Sequence, residues 1–401
     1  MRPFPTRTRT LSSASALALT LVALPVAAQC APTDGGPPSR SASHSASHRT
    51  EARTCAESTL DGMSLPQQVG QLFVSGVDAD DPTAKQLQSV TDHHLGGVIL
   101  TGGSSAGVAA TARVAGKVRD HATGSAGVAP WISADQEGGY VQHLKGPGFD
   151  DMPTALTQGG WSTPTLTDRA EGWGEQLRQA GVNLNLAPVL DTVPADLGRD
   201  NKPIGYYYRE FGHTPGTVAD HGTAFAAGMR AAGVQTAGKH FPGLGRVLGN
   251  TDTTEDVVDD VTTRDDPYLQ PFQAAVDDGI DVVMVSTARY TKIDADHLAA
   301  FSPTVLQDML RGDLGFTGVI MSDDLGAAAA VQDIPAGTRA VRFVQRGGTV
   351  VLTVDPGTLP AMYDAVLDRA QTDPDFQAKV HDAAAHVLQA KQEAGLLTCG
   401  G

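Results

Sequence analysis

Few residues of this 401-residue chain carry a charge and fewer are aromatic: Asp, Glu, Lys and Arg make up 18%, and Phe, Trp and Tyr 5%. Cations are the scarcer sign, 29 Lys and Arg against 45 Asp and Glu, for a net charge of -16 at pH 7. A surface short of cations is poorly suited to neutralise a phosphate backbone, so the balance disfavours nucleic acid and no nucleic-acid partner is expected. The deficit is uneven. Residues 1–54 hold six arginines against Asp34 and Glu51, a net of +4, so the remainder carries -20. A body that acidic suits neutral substrates better than phosphates or anionic lipids. Beyond residue 30 no apolar run is long enough to cross a membrane. Cysteine is nearly absent, with three in the chain. What is abundant is apolar: 41% hydrophobic residues exclude a disordered chain.

The apolar residues nearest the start have a distinct layout. Arg2, Arg7 and Arg9 precede an apolar run from Leu11 to Val26, and small residues follow at Ala27 and Ala28. This is the arrangement of a secretory signal over residues 1–29, with a buried N-terminal helix as the competing reading. Cys30 stands where a lipid anchor would be attached, although Gln29 is an unusual neighbour for one. Residues 30–54, rich in Ser, Pro and His, read as a disordered tether. The protein is therefore expected to be secreted or held at the cell envelope as a lipoprotein, and to be a monomer. Cys55 and Cys399 bracket the region 55–401. In an oxidising compartment they would pair as a disulfide, and two separate thiols is the alternative.

Between those cysteines, short β-rich runs alternate with helical segments. The runs are 71–77, 97–101, 131–134, 182–190, 235–241, 281–286, 318–322 and 349–354. The helical segments include 168–180, 217–232, 269–278, 303–310 and 336–345, with a final helix over 373–394. Near-continuous apolar strands separated by helices predict an α/β fold with a parallel sheet covered on both faces. Eight units predict a single-domain (β/α)8 TIM-type barrel, with an open doubly wound sheet as competitor. In a barrel, chemistry gathers at the C-terminal ends of the strands. The polar residues there are Asp135-Gln136-Glu137, Asp191, Lys239-His240, Ser286-Thr287 and Asp323-Asp324.

Three of these stretches, WISADQEGGYVQ, AGKHFPGLG and GVIMSDDLG, resemble signatures of glycoside hydrolase family 3, in its single-domain β-N-acetylglucosaminidase-like branch. MSLPQQVGQLFVSG, NLNLAPVLDT and IGYYYREFG are similar to further parts of the same pattern, and the resemblance runs from about Met63 to Val354. It implies an exo-acting β-glycosidase that removes a terminal β-linked N-acetylglucosamine, from cell-wall fragments or chitin-like oligosaccharides, with retention of configuration. The resemblance assigns the nucleophile to Asp323, the first Asp of SDD. Asp324 then reads as structural, a helix N-cap. The same resemblance places Lys239, His240 and Arg209 on the sugar. Read by themselves, the residues agree: a carboxylate at the end of a strand can attack an anomeric carbon, and Asp135 can accept hydrogen bonds from hydroxyls while neighbouring glycines allow close approach. Lys239 would bind vicinal hydroxyls and keep nearby carboxylates ionised. No metal or organic cofactor is required, because two carboxylates and water suffice. The Tyr206–Tyr208 run is open between an aromatic wall for a sugar ring and a loop anchored by its rings.

The chain departs from the branch at one functional point. Where the family carries an Asp and a His on the loop after the fifth strand, this sequence has Asn250 and Asp252, so the histidine–aspartate pair is missing. Asp252 is the candidate acid/base in its place, with Glu255 or Asp256 from the same loop as alternatives. Arg246 would argue against whichever carboxylate it pairs with. Tyr140 replaces an arginine, Leu244 a polar residue and Thr287 a histidine. These departures leave open a β-glucosidase-type activity on a plain hexose, or an envelope sugar-binding protein that lost its acid.

Overall fold

The computed structural model describes residues 54–124 and 126–398. The signal segment, Cys30 and the tether up to residue 53 lie outside them, as does Cys399, the expected partner of Cys55. Thr54, at the tether's end, caps the first helix, Cys55–Gly62, in a reciprocal pair with Glu57. Ser64 with Gln67 and Thr83 with Gln86 start the next two helices in the same way, each satisfying amides that a helix leaves unpaired.

Eight parallel strands form the barrel: β1 Phe73–Asp78, β2 Gly97–Thr101, β3 Trp131–Ala134, β4 Leu184–Asn185, β5 Gln235–Phe241, β6 Val282–Val285, β7 Val319–Ser322 and β8 Val351–Thr353. They pair in chain order from β1 to β7, β8 returns to β1, and a parallel bridge from Met321 to Val350 joins the two ends. The eight-strand expectation therefore holds, and the open sheet does not. Seven strands fall within two residues of where the sequence placed them. The fourth is shorter than expected: regular pairing ends at Asn185, and single backbone bonds from Ala237 to Ala187, Lys239 to Pro188 and Leu190 to Lys239 continue the contact with β5.

Two apolar layers hold the barrel. Val74, Ile99, Leu184, Ala237, Met284, Met321 and Leu352 fill its interior, and a second set packs the strands against the outer helices. Each fully buried Val, Leu or Ile contributes roughly 1.5–3 kcal/mol, which is why strands with both faces covered read as unbroken apolar runs. Gly97 is required by close approach, since a Cβ there would lie 2.8 Å from the Cβ of Trp131.

The last helix, Pro374–Glu393, closes the N-terminal end of the barrel. Its Lys391 is fully buried, donating to Gln71 Oε1 at 2.8 Å and to the Gly96 carbonyl at 2.7 Å, with its ammonium 5.0 Å from the Trp131 ring centre. Burial pushes this lysine down to about 7. With that end plugged, the opposite rim is the open one. Two additions shape it: a hairpin of Gln136–Gly138 with Val141–Gln142, and a small sheet of Val258–Asp259, Arg289–Tyr290 and Asp294–Leu298. Among the described residues no helix is long and apolar enough to cross a membrane.

Candidate active site

At the open rim lies a cavity of about 460 Å³, and Asp135, Arg209, Lys239, His240, Asp252 and Asp323 all line it. They arrive from the ends of β3, β5 and β7 and from two loops, so residues up to 188 positions apart in sequence share one chamber. Lys239 and His240 are adjacent in β5, and strict alternation would send one outward. The register of β5 against β6 shifts between Gly238 and Phe241, and that irregularity lets both reach the cavity.

A chain of alternating charge crosses the floor. Lys239 Nζ lies 2.6 Å from Asp135 Oδ1 and 2.7 Å from Glu137 Oε1. Arg209 closes on the same Glu137 with two bonds, Nε to Oε2 at 2.8 Å and Nη2 to Oε1 at 2.7 Å, and donates a third to the Pro203 carbonyl. Burial alone would raise the Glu137 carboxyl, but Arg209 and Lys239 more than offset it and hold it far below the usual carboxylate range. Lys239, desolvated yet facing Asp135 and Glu137, is raised and stays charged. Two of its three ammonium donors are thereby committed, leaving one for a ligand hydroxyl.

His240 is organised from behind. Its Nδ1 lies 2.7 Å from Asp191 Oδ2, and the other Asp191 oxygen accepts the His240 and Leu244 amides at 3.1 and 2.7 Å. A carboxylate in that position keeps the proton on Nδ1 and leaves Nε2 as the remaining ring nitrogen. Position 244 thus serves through its amide, while the buried Leu244 side chain packs in the core and against the cavity wall. Asn201 ties the neighbouring loop down: it donates to the Leu244 and Val247 carbonyls at 2.7 and 2.8 Å and accepts the Ile204 and Gly205 amides.

Asp323 follows β7. Its amide donates to the Val285 carbonyl at 2.9 Å, and its Oδ1 accepts the Asp324 amide at 2.8 Å. Asp324 caps a turn rather than a helix, taking the amides of Gly326, Ala327 and Val354 on its two oxygens. Asp252 lies on the loop after β5. Asn250 builds a tight turn there, its side chain accepting the Asp252 amide at 3.0 Å. Two backbone bonds then fasten the loop to the segment after β7, from Ala329 to the Asp252 carbonyl and from Ala330 to that of Thr251. Although Asp252 opens to solvent at the rim, protein atoms crowd it; this desolvation, and after it the charge of Asp323, raise its carboxyl above the usual range.

The other acids and cations of this loop sit elsewhere. Glu255 and Asp256 line a separate cavity, and Asp256 faces Arg289 at 3.6 Å. Arg246 pairs with Asp266 at 2.7 Å and lies 4.1 Å from the Tyr268 ring centre, so it does not bear on Asp252. Thr287 is buried, and its hydroxyl has no hydrogen-bond partner among the described residues. The tyrosine run divides: Tyr207 lines the cavity, whereas Tyr206 packs under Arg199 and Lys202. Gly138 serves the protein and not a ligand, since a Cβ there would stand 2.3 Å from the Pro153 carbonyl oxygen at a φ of 111°. The sequence marks Glu137 and Asp191 as polar residues at strand ends but assigns them no role, and Asn201 it does not mark at all. The first two carried a usable signal, a carboxylate just past a barrel strand; Asn201 carried none.

Residues 64–390 match the family model described as the glycosyl hydrolase family 3 N terminal domain. A β-hexosaminidase of Stenotrophomonas maltophilia is 37% identical over 251 residues, 60% of this chain and 71% of that protein. The β-hexosaminidase LpqI of Mycobacterium tuberculosis is 32% identical over 328 residues, 78% of this chain and 79% of its own length. Among solved structures, a β-N-acetylhexosaminidase from Beutenbergia cavernae superposes with a TM-score of 0.81 at 50% identity, covering 82% of this chain and 99% of that one.

Proposed function

Because the chain belongs to glycosyl hydrolase family 3, we propose that it is a retaining exo-β-N-acetylglucosaminidase, exported and acting on cell-wall fragments or chitin-like oligosaccharides. The observation that carries this reading is the meeting of Asp323 and Asp252 in one cavity with the buried donors Lys239 and His240. Among the described residues neither aspartate is ion-paired to a lysine, arginine or histidine. The cations bind the floor carboxylates instead, and the two acids remain free for chemistry.

In this reading Asp323 attacks the anomeric carbon as the bond to the leaving oxygen breaks, and Asp252 gives that oxygen its proton. A water then attacks the glycosyl-enzyme from the vacated side, passing its proton to Asp252 and releasing Asp323. Two displacements at one carbon retain its configuration. The raised Asp252 carboxyl suits both halves: it holds a proton in the first and accepts one in the second. Lys239, His240, Asp135 and Arg209 hold the terminal sugar through its hydroxyls. Residues 1–29 would direct export and be removed, Cys30 would carry a lipid in the envelope form, and Cys55 would pair with Cys399.

A panel of aryl β-glycosides tests the assignment. The N-acetylglucosaminide is expected to give the highest kcat/KM, above the glucoside and xyloside. A reversed order would assign a plain hexose, and no phenol release from any of the three would reject hydrolysis.

A further inference from the structure

The cavity changes character from floor to rim. Its floor is charged and closed to solvent, but Tyr140 and Tyr207 stand at its mouth, and Tyr140 is 68% exposed. Their ring centres are 6.1 Å apart at an interplanar angle of 61°, and Tyr208 adds a third ring 6.5 Å from Tyr140. An aromatic ring this open forgoes the burial that normally accompanies its size.

Both loops that carry these rings are fixed. Tyr140 follows the tight turn at Gly138 and Gly139, whose amide donates to the Met152 carbonyl at 2.8 Å. The tyrosine run is anchored by Asn201, whose backbone carbonyl accepts the Tyr206 amide at 2.8 Å, and by Arg199, which packs over Tyr206 and Tyr208. Arg199 and Lys202 occupy Tyr206, so Tyr140 and Tyr207 are the rings that face the cavity without a cation on them. The pair therefore presents an apolar surface carried on anchored backbone.

We propose that Tyr140 and Tyr207 form a platform on which the first sugar ring of the leaving group stacks, so that this chain favours β-linked oligosaccharides over glycosides with small leaving groups. The inference rests on the reading that the cavity cleaves a terminal sugar. That sugar takes the polar floor beside Lys239 and His240, and whatever is attached to it must leave past the rim. The C–H face of a pyranose is its apolar side, and the face of an aromatic ring is its natural partner there; with the two rings inclined at 61°, one can stack on the sugar while the other walls it.

The test compares Tyr140→Ala/Tyr207→Ala with wild type on two substrates: the β-1,4-linked disaccharide of N-acetylglucosamine, and β-N-acetylglucosaminyl fluoride, whose leaving group has no ring. The disaccharide should lose about ten-fold more kcat/KM than the fluoride, while Tyr140→Phe/Tyr207→Phe keeps the wild-type ratio. Equal losses on both substrates, or none on the disaccharide, would overturn the platform. Calorimetric binding of the disaccharide and of free N-acetylglucosamine, each measured in an Asp323→Asn background that does not turn the disaccharide over, gives a readout independent of turnover, in which the alanine pair should weaken only the disaccharide. A wild type inactive on both substrates would refute the proposed function, and unchanged disaccharide binding would refute the platform.

Discussion

Lys239 Nζ lies 2.7 Å from Oε1 of Glu137, and both side chains are almost closed to solvent, at 2% and 3% exposure. Arg209 holds the same carboxylate from its other side. Two cations on one buried anion fix the height and direction of the Lys239 ammonium, the group proposed to meet the sugar. Removing one member of such a group leaves buried charge uncompensated, at a cost of about 3–5 kcal/mol.

Glu137→Gln keeps the shape and removes the charge. It should lower the melting temperature and reduce kcat/KM, even though Glu137 is not among the cavity-lining residues. Its pH dependence has a definite sign. The folded-state carboxyl is held below its ordinary value, so its stabilisation is fully present above about pH 4.3 and is lost as pH falls further. Calorimetry from pH 6 to 3 should show wild type losing stability more steeply than Glu137→Gln on the acid side. Parallel curves would show that the pair does not stabilise the fold.

Asp252 lies beside Asp323, and its raised carboxyl keeps it protonated further toward neutrality than an ordinary aspartate. Its proton is lost as pH rises, so the alkaline limb of kcat/KM should belong to it. Asp252→Asn should remove that limb and cost about 10²–10⁴-fold on substrates with poor leaving groups. A dinitrophenyl glycoside, which leaves without protonation, should lose far less in the first step. If the variant matches wild type on poor leaving groups, Asp252 is not the acid.

Barrel strands announced themselves because both their faces are buried, and β2, β3 and β5 begin and end where the apolar runs do. Burial also made Lys239 and His240 conspicuous, since few polar residues sit inside such a run. Glu137 was visible past β3, but its role was not, because that role comes from Arg209, 72 positions away, and no local pattern records the pairing. Asp191 was visible as a polar residue at a strand end, but its three bonds to the His240–Leu244 turn depend on how β4 and β5 meet. The small sheet joining Val258–Asp259 to Arg289–Tyr290 is equally nonlocal, because two-residue strands have no periodicity to read. Asn250 looked like the loss of a catalytic aspartate; in the fold it is the residue that turns the Asp252 loop.

Retaining hydrolysis in this cavity requires Asp323 to form a covalent bond to the sugar. A 5-fluorinated N-acetylglucosaminyl fluoride forms the glycosyl-enzyme and releases it slowly, which allows the adduct to be trapped, digested and sequenced by mass spectrometry. One sugar on the peptide containing Asp323, absent in Asp323→Asn, is the predicted result. A label on Asp135 or Asp252, or continued turnover by Asp323→Asn without any adduct, would contradict it.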